Sequence, residues 1–147
     1  MPVGIIVRTE SSSPSGIWLS RDAVEGDAEI QRQLQVYAAT EYPQLVNAYP
    51  AKVQAWEEAA AKAKADGKTV PVKPNPPALA GHFPFHPYAY SAGRFEYYGA
   101  NYISRIEPVA GYAVRGLVWD QGKNHTGIAG ADQSVVMPAL LRCWRAA

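Results

Sequence analysis

The sequence has little of several features that would assign a function class directly. Its single cysteine, Cys143, excludes a disulfide framework and a cysteine zinc site. No apolar run approaches the roughly 20 residues of a membrane span. The formal net charge is only +1, and no basic stripe is present. We therefore expect neither a membrane nor a nucleic acid as partner.

The ordinary catalytic and targeting signatures are missing as well. No serine lies in a Gly-x-Ser-x-Gly elbow. The run Ser11–Ser13 could hold a nucleophile after a strand, but an ordinary loop is the favoured interpretation. His82 and His86 have the spacing of a helical metal pair, yet Pro84 between them argues against a helix. We expect no metal and no other cofactor.

The N-terminus shows no signal peptide, which would need a basic segment, an apolar core and a small-residue cleavage site. An apolar segment starts at the second residue instead, which suggests that the chain begins inside a domain. The compartment is therefore not identified, and a complete parent protein would be compatible with secretion or the periplasm.

What the sequence does contain is an alternation of apolar runs and helical patterns over one domain, residues 1–147. Apolar runs at 3–8 and 114–119 predict two buried parallel strands of an α/β fold. Between them, Ser20 is a candidate cap for a helix over 21–25, and Asp27 for the next helix. Pro50 at a first helical position and Gly67 just past the end predict a helix over 50–66. These helices make 26–69 a helical insertion.

A connection rich in proline and aromatic residues follows over 70–95. Half of the 12 prolines lie between residues 70 and 87, which excludes regular helix there. Half of the aromatic residues lie between 83 and 102. They could line a sugar-binding surface, although packing as a lid over the core is the favoured interpretation. A helix over about 98–107 would lead to the second strand.

The polar loop after the second strand is the best candidate site, because ligands bind at the carboxyl ends of parallel strands. The side-chain amide of Gln121 and the backbone N–H of Gly122 could stabilise a developing oxyanion. Alternatively, Gly122 serves a turn and Gln121 faces water. His125 is the histidine best placed to face a ligand. The residues alone leave both interpretations open.

Several segments resemble the sialate O-acetylesterase-like carbohydrate esterases, which have the SGNH-hydrolase fold. The similar segments are Pro-Val-Gly-Ile-Ile-Val at 2–7, residues 13–23 with Trp18-Leu19-Ser20-Arg21, the helical pattern of Tyr49, Trp56, Ala60, Ala63 and Gly67, residues 106–122 with Trp119-Asp120-Gln121-Gly122, and 138–145 with Trp144-Arg145. The resemblance covers nearly the whole chain. It implies a partial three-layer α/β/α, flavodoxin-like fold with parallel strands and a helical insertion.

The resemblance also implies a function, the removal of acetyl groups from sugars. Gln121 and the backbones of Gly122 and Ser12 would then be the oxyanion donors. We therefore expect Gln121 and Gly122, at the carboxyl end of the second strand, to lie within a few ångströms of the Ser11–Ser13 loop. The substrate-binding candidates are Lys123, Asn124 and His125. The expected partner is an acetylated sugar or another small ligand.

This chain departs from the family at the catalytic motifs. The family's Gly-Gln-Ser-Asn nucleophile segment and its Asp-x-x-His segment do not occur in the sequence. Ser11–Ser13 replaces the oxyanion glycine turn, and Lys123 stands where the family has an acid. We expect an internal esterase fragment or a decayed relative that is inactive as an isolated chain. The alternative is a non-catalytic remnant that binds carbohydrate or is purely structural. Two strands without neighbours would also favour self-association through exposed sheet edges.

Overall fold

The computed structural model describes residues 4–10, 13–81, 99–121 and 125–147, and every regular element in these ranges is helical. The elements in chain order are a 3₁₀ turn at Ser15–Trp18, α1 at Arg21–Glu25, α2 at Ala28–Ala39, α3 at Glu41–Ala65, a π-helix at Tyr102–Ile106, a 3₁₀ turn at Glu107–Val109 and α4 at Gln133–Ala146. In these ranges, no helix is long and apolar enough to cross a membrane.

The predicted α/β fold with parallel strands is wrong, because the described residues form no strand. Residues 4–8 and 114–119 belong to no regular element. Ile5 is 84% exposed and Val118 is 97% exposed, so neither run is buried as predicted. A β-branched run becomes a strand only when a neighbouring strand takes up its backbone hydrogen bonds. Neither run has such a neighbour among the described residues, and the expected association through sheet edges loses its structural basis.

Helices α1 and α2 begin where the sequence predicts, because each has a side-chain cap. The Ser20 hydroxyl accepts a hydrogen bond from the Ala23 N–H at 3.1 Å. The Asp27 carboxylate accepts from the Glu29 and Ile30 N–H groups at 3.1 and 3.0 Å. Each cap satisfies backbone donors that the first helical turn leaves unpaired.

Helix α3 is longer than predicted, since it begins at Glu41 and contains Pro50 in its interior. Proline lacks an N–H and removes one bond from the helical ladder. The helix nevertheless continues past Pro50, because its other backbone hydrogen bonds remain. Its C-terminus agrees with the prediction: Gly67 has φ +66, and the Lys68 N–H donates to the Ala63 carbonyl at 2.8 Å. This left-handed glycine termination closes the helix. Both α2 and α3 lie within the predicted insertion 26–69.

The described part of the proline-rich connection, residues 70–81, is tied to α2 and α3 by aromatic side chains. The Tyr37 hydroxyl donates to the Ala78 carbonyl at 2.9 Å, and the Trp56 indole to the Pro71 carbonyl at 2.8 Å. Because this segment forms no regular element, its backbone carbonyls are available to accept such bonds. The prediction of no regular helix is confirmed for these residues, and residues 82–95 lie outside the described part.

The core lies where the first 3₁₀ turn, α1, α2 and α4 meet. Its most deeply buried side chains are Ile17, Leu19, Val24, Ile30, Val136 and Leu140. Ile106 from the π-helix and Ile128 from the loop before α4 complete it. Burying one such side chain stabilises a fold by roughly 1.5–3 kcal/mol. This core holds the turn at Ser15–Trp18 in place, and the candidate site lies beside that turn.

Candidate functional site

Two loops that are distant in sequence meet beside the first 3₁₀ turn. We call residues 13–16 together with residues 119–121 and 125–128 the loop pair. The Ser15 N–H donates to the His125 carbonyl at 3.0 Å, and the Gly16 N–H donates to the Thr126 carbonyl at 2.8 Å. Because these bonds join backbone to backbone, they determine how closely the two loops approach.

Gly16 is required by that approach. A Cβ atom at this position would lie 2.6 Å from the Thr126 carbonyl oxygen and 2.6 Å from Cγ1 of Ile128. Real Cβ contacts are essentially never this short. Only glycine therefore allows the two backbones to come within hydrogen-bonding distance.

Three tryptophans pack against one another beside the loop pair. The ring centroids of Trp18 and Trp119 are 5.9 Å apart, and those of Trp119 and Trp144 are 5.5 Å apart, both in edge-to-face geometry. The Trp144 indole donates to the Trp18 carbonyl at 2.9 Å, which fastens α4 to the 3₁₀ turn. Edge-to-face aromatic pairs contribute about 0.5–1.5 kcal/mol beyond their burial. The cluster thus joins three segments that are distant in sequence, those that contain Trp18, Trp119 and Trp144.

Gln121 contacts the opposite loop through Ser13. Its side-chain Nε2 donates to the Ser13 carbonyl at 3.4 Å, while the Trp18 indole donates to the Ser13 hydroxyl at 2.9 Å. The sequence predicts that the Gln121 loop lies beside the serine loop, and for Gln121 and Ser13 this is confirmed. The predicted setting, the carboxyl end of a strand, is wrong, because residues 114–119 form no strand. At 3.4 Å this bond is longer than an ordinary N–H···O hydrogen bond and is therefore weak.

Ser15 and Gln133 are residues of this region that the sequence did not reveal. Ser15 is fully buried, and its hydroxyl donates to Oε1 of Gln133 at 2.8 Å. Gln133 is the first residue of α4. A serine in a loop gives no local signal for a partner more than a hundred residues away. This bond connects the first 3₁₀ turn to the start of α4, so Ser15 helps to position these two elements.

His125 has a strained backbone, with φ +45. A left-handed conformation is uncommon for residues other than glycine and is maintained by surrounding structure. Here the His125 carbonyl accepts from Ser15, while the neighbouring Thr126 hydroxyl donates to the Ala131 carbonyl at 2.8 Å. The side chain of His125 is exposed, so it is available to a ligand.

Two buried donors in the described residues have no hydrogen-bond partner. They are Nε1 of Trp119, a residue of the loop pair, and Nδ2 of Asn101, just before the π-helix. Buried polar groups are satisfied in the great majority of cases. These two donors are therefore exceptions in the described residues, and one of them, that of Trp119, lies in the loop pair.

The neighbouring side chains of Tyr102 and Cys143 do not have the contacts of a nucleophilic centre. Burial raises the pKa of the Tyr102 hydroxyl, and Cys143 and Glu107 raise it further. The Cys143 thiol lies 3.5 Å from the Ser20 hydroxyl, the capping group of α1. An activated thiol would need a nearby positive charge or base. The contacts of Cys143 are therefore those of a packed residue.

Of the predicted site residues, the structure describes two. Gln121 and His125 are described, whereas Ser12, Gly122, Lys123 and Asn124 lie outside the described residues, as do Ser11, His82 and His86. Within the described ranges, no group of three His, Cys, Asp or Glu side chains could hold a metal ion. No serine hydroxyl there is hydrogen-bonded to a histidine side chain. The described loops thus contain hydrogen-bond donors beside a tryptophan cluster, but their described residues contain no nucleophile–base pair.

Comparisons with protein-family models, with curated proteins and with solved structures find no match to this chain. Its function is therefore inferred from the residues of the loop pair and their geometry.

Proposed function

We propose that this chain is related to the sialate O-acetylesterase-like carbohydrate esterases, and that it binds the acetyl group of an O-acetylated sugar without hydrolysing it. The observation that supports this is the meeting of the two family-like loops, through Gly16 with Thr126 and Gln121 with Ser13. Residues in these loops are separated by more than a hundred positions, yet they hydrogen-bond to each other beside the three tryptophans.

The donor chemistry of this surface suits a carbonyl oxygen. The Gln121 amide carries two N–H groups, of which the Ser13 carbonyl takes one. The second can donate to an acetyl oxygen, and the exposed His125 ring offers a further donor. In a working esterase such donors stabilise the oxyanion of the tetrahedral intermediate.

Hydrolysis needs more than these donors. A serine esterase requires a nucleophile, a base that takes its proton, and a group that orients the base. The Gly-Gln-Ser-Asn and Asp-x-x-His motifs that would supply them are not in the sequence. The chain therefore lacks the groups that convert acyl binding into acyl transfer.

Binding can be tested by titrating ¹⁵N-labelled protein with the methyl glycoside of 9-O-acetyl sialic acid and, in parallel, with the deacetylated glycoside. We expect acetyl-dependent shifts at the Gln121 side-chain amide and at Ser13. Gln121→Ala should weaken binding, whereas Gln44→Ala, at an exposed position on α3, should leave it unchanged. Equal shifts with both glycosides, or shifts confined to other regions, would refute acetyl recognition.

Turnover can be tested with 4-nitrophenyl acetate and the same acetylated glycoside. We expect no release of product above the buffer rate, because a binding surface without the nucleophile–base pair leaves only weak residual catalysis. A burst of 4-nitrophenol together with an acetyl group trapped on Ser11–Ser13 would contradict this expectation.

A further inference from the structure

We propose that the indole N–H of Trp119 is a third ligand donor in the loop pair, beside Gln121 and His125, and that it binds the carbonyl oxygen of the acetyl group. This inference rests on the acyl-binding function proposed above. All four tryptophans are described, and three of their indole groups have partners. Those of Trp18 and Trp144 donate at 2.9 Å, and that of Trp56 donates at 2.8 Å. Trp119 alone has a buried indole nitrogen without a partner.

The two rings packed against Trp119 do not supply an ordinary acceptor for this nitrogen. Trp18 and Trp144 pack against it edge to face, and an aromatic ring accepts a hydrogen bond from an N–H only weakly. A buried donor without a partner loses its bonds to water and gains none in return, so it destabilises the unliganded fold. An incoming acceptor would recover that loss, which makes the unpaired N–H a source of binding free energy.

The position of Trp119 connects it to the proposed acyl-binding surface. It precedes Gln121 by two residues and packs against Trp18, whose indole holds the Ser13 hydroxyl. The side-chain amide of Gln121 donates to the backbone carbonyl of the same Ser13 at 3.4 Å. Because that bond is long, the Gln121 amide can exchange its partner for a ligand oxygen. In this proposal the Gln121 side chain moves away from Ser13 as the ligand enters, and this movement gives the ligand oxygen access to the buried Trp119 nitrogen.

The test uses the four indole N–H resonances of ¹⁵N-labelled protein, each assigned by a Trp→Phe variant. The probes are acetate and the methyl glycoside of 9-O-acetyl sialic acid, with the deacetylated glycoside as control. We expect the Trp119 resonance to move downfield on addition of either acetyl-bearing probe. The Trp56 resonance should stay in place, because its indole already donates to Pro71 on a remote part of the chain.

Variants give a second measurement. Trp119→Phe should weaken binding of the acetylated glycoside by about 2- to 10-fold, the loss expected for one neutral hydrogen bond. Trp56→Phe, the matched control, should bind like the wild type. If Trp119→Phe does not fold, the indole shift in the wild-type chain decides the question.

The outcomes separate this inference from the proposed function. If the Gln121 amide shifts while the Trp119 indole does not, the Trp119 inference is overturned and acyl binding stands. If neither group responds to any acetyl-bearing probe, both are overturned.

Discussion

Replacing Gly16 by alanine should destabilise the protein, because it separates the two loops of the loop pair. The added Cβ would meet a backbone oxygen, that of Thr126, and a buried side chain, Ile128, each at 2.6 Å. Ile128 is only 3% exposed, so its side chain has little room to turn away. The loops must therefore move apart by several tenths of an ångström.

The magnitude follows from two contributions. Overpacking a well-filled site costs about 1–3 kcal/mol. Weakening the bond from the Gly16 N–H to the Thr126 carbonyl, 2.8 Å long, adds about 1 kcal/mol. Together they lower the free energy of unfolding by about 2–4 kcal/mol, a large share of the roughly 5–15 kcal/mol typical of a domain.

Urea unfolding followed by tryptophan fluorescence measures this change, since Trp18, Trp119 and Trp144 lie beside the altered contact. The matched control is Gly116→Ala, because a Cβ there would have no atom within 4 Å. We expect the control to unfold within about 0.5 kcal/mol of the wild type. Equal stabilities of the two variants would show that the close approach of the loops does not contribute to the fold.

Two further substitutions test contacts between α4 and the elements it packs against. Asp27→Ala should cost about 1–2 kcal/mol, because it removes the cap of α2 and the ion pair with Arg142. Asp132→Ala, at a helix start without a side-chain cap bond, is the control and should change little. Burial raises the pKa of Asp27, but hydrogen bonds from Ile30, Arg142 and Glu29 outweigh it and hold the pKa below its ordinary value. The contribution of Asp27 to the free energy of unfolding should therefore be complete above about pH 4 and disappear as the pH falls further. The stabilities of the wild type and Asp27→Ala should then converge in acid. A stability difference that stays constant down to about pH 2 would contradict the assignment. Trp144→Phe should cost about 1–3 kcal/mol through the lost bond to the Trp18 carbonyl and the smaller ring, and a loss below 0.5 kcal/mol in thermal or urea unfolding would refute this.

Helix ends were predictable from the sequence where a neighbouring side chain determines them. Ser20 and Asp27 cap α1 and α2, and Gly67 terminates α3, as their positions indicate. These are interactions over two to five residues, so the local sequence contains both partners. The start of α3 was not predictable from Pro50, because proline at a first helical position and proline inside a long helix look alike in sequence.

The two apolar runs show the limit of periodicity. Residues 3–8 and 114–119 have the composition of buried strands, yet their described residues form none, and Val118 is almost fully exposed. Composition indicates that a segment suits a sheet, but only a neighbouring strand supplies the hydrogen bonds of one. The sequence could not show that this neighbour is missing.

For the candidate site, the sequence by itself determined the residue types and the expectation that Gln121 lies near the serine loop. Tertiary structure alone decided the rest: the Ser15–Gln133 bond, the close approach that requires Gly16, and the tryptophan cluster with one unpaired donor. Each of these depends on atoms about a hundred residues apart, whose separation in space is determined by the packing of α4 and the first 3₁₀ turn. The residue type determines which hydrogen bonds a side chain can donate or accept, and the packing of the fold determines which partner it contacts.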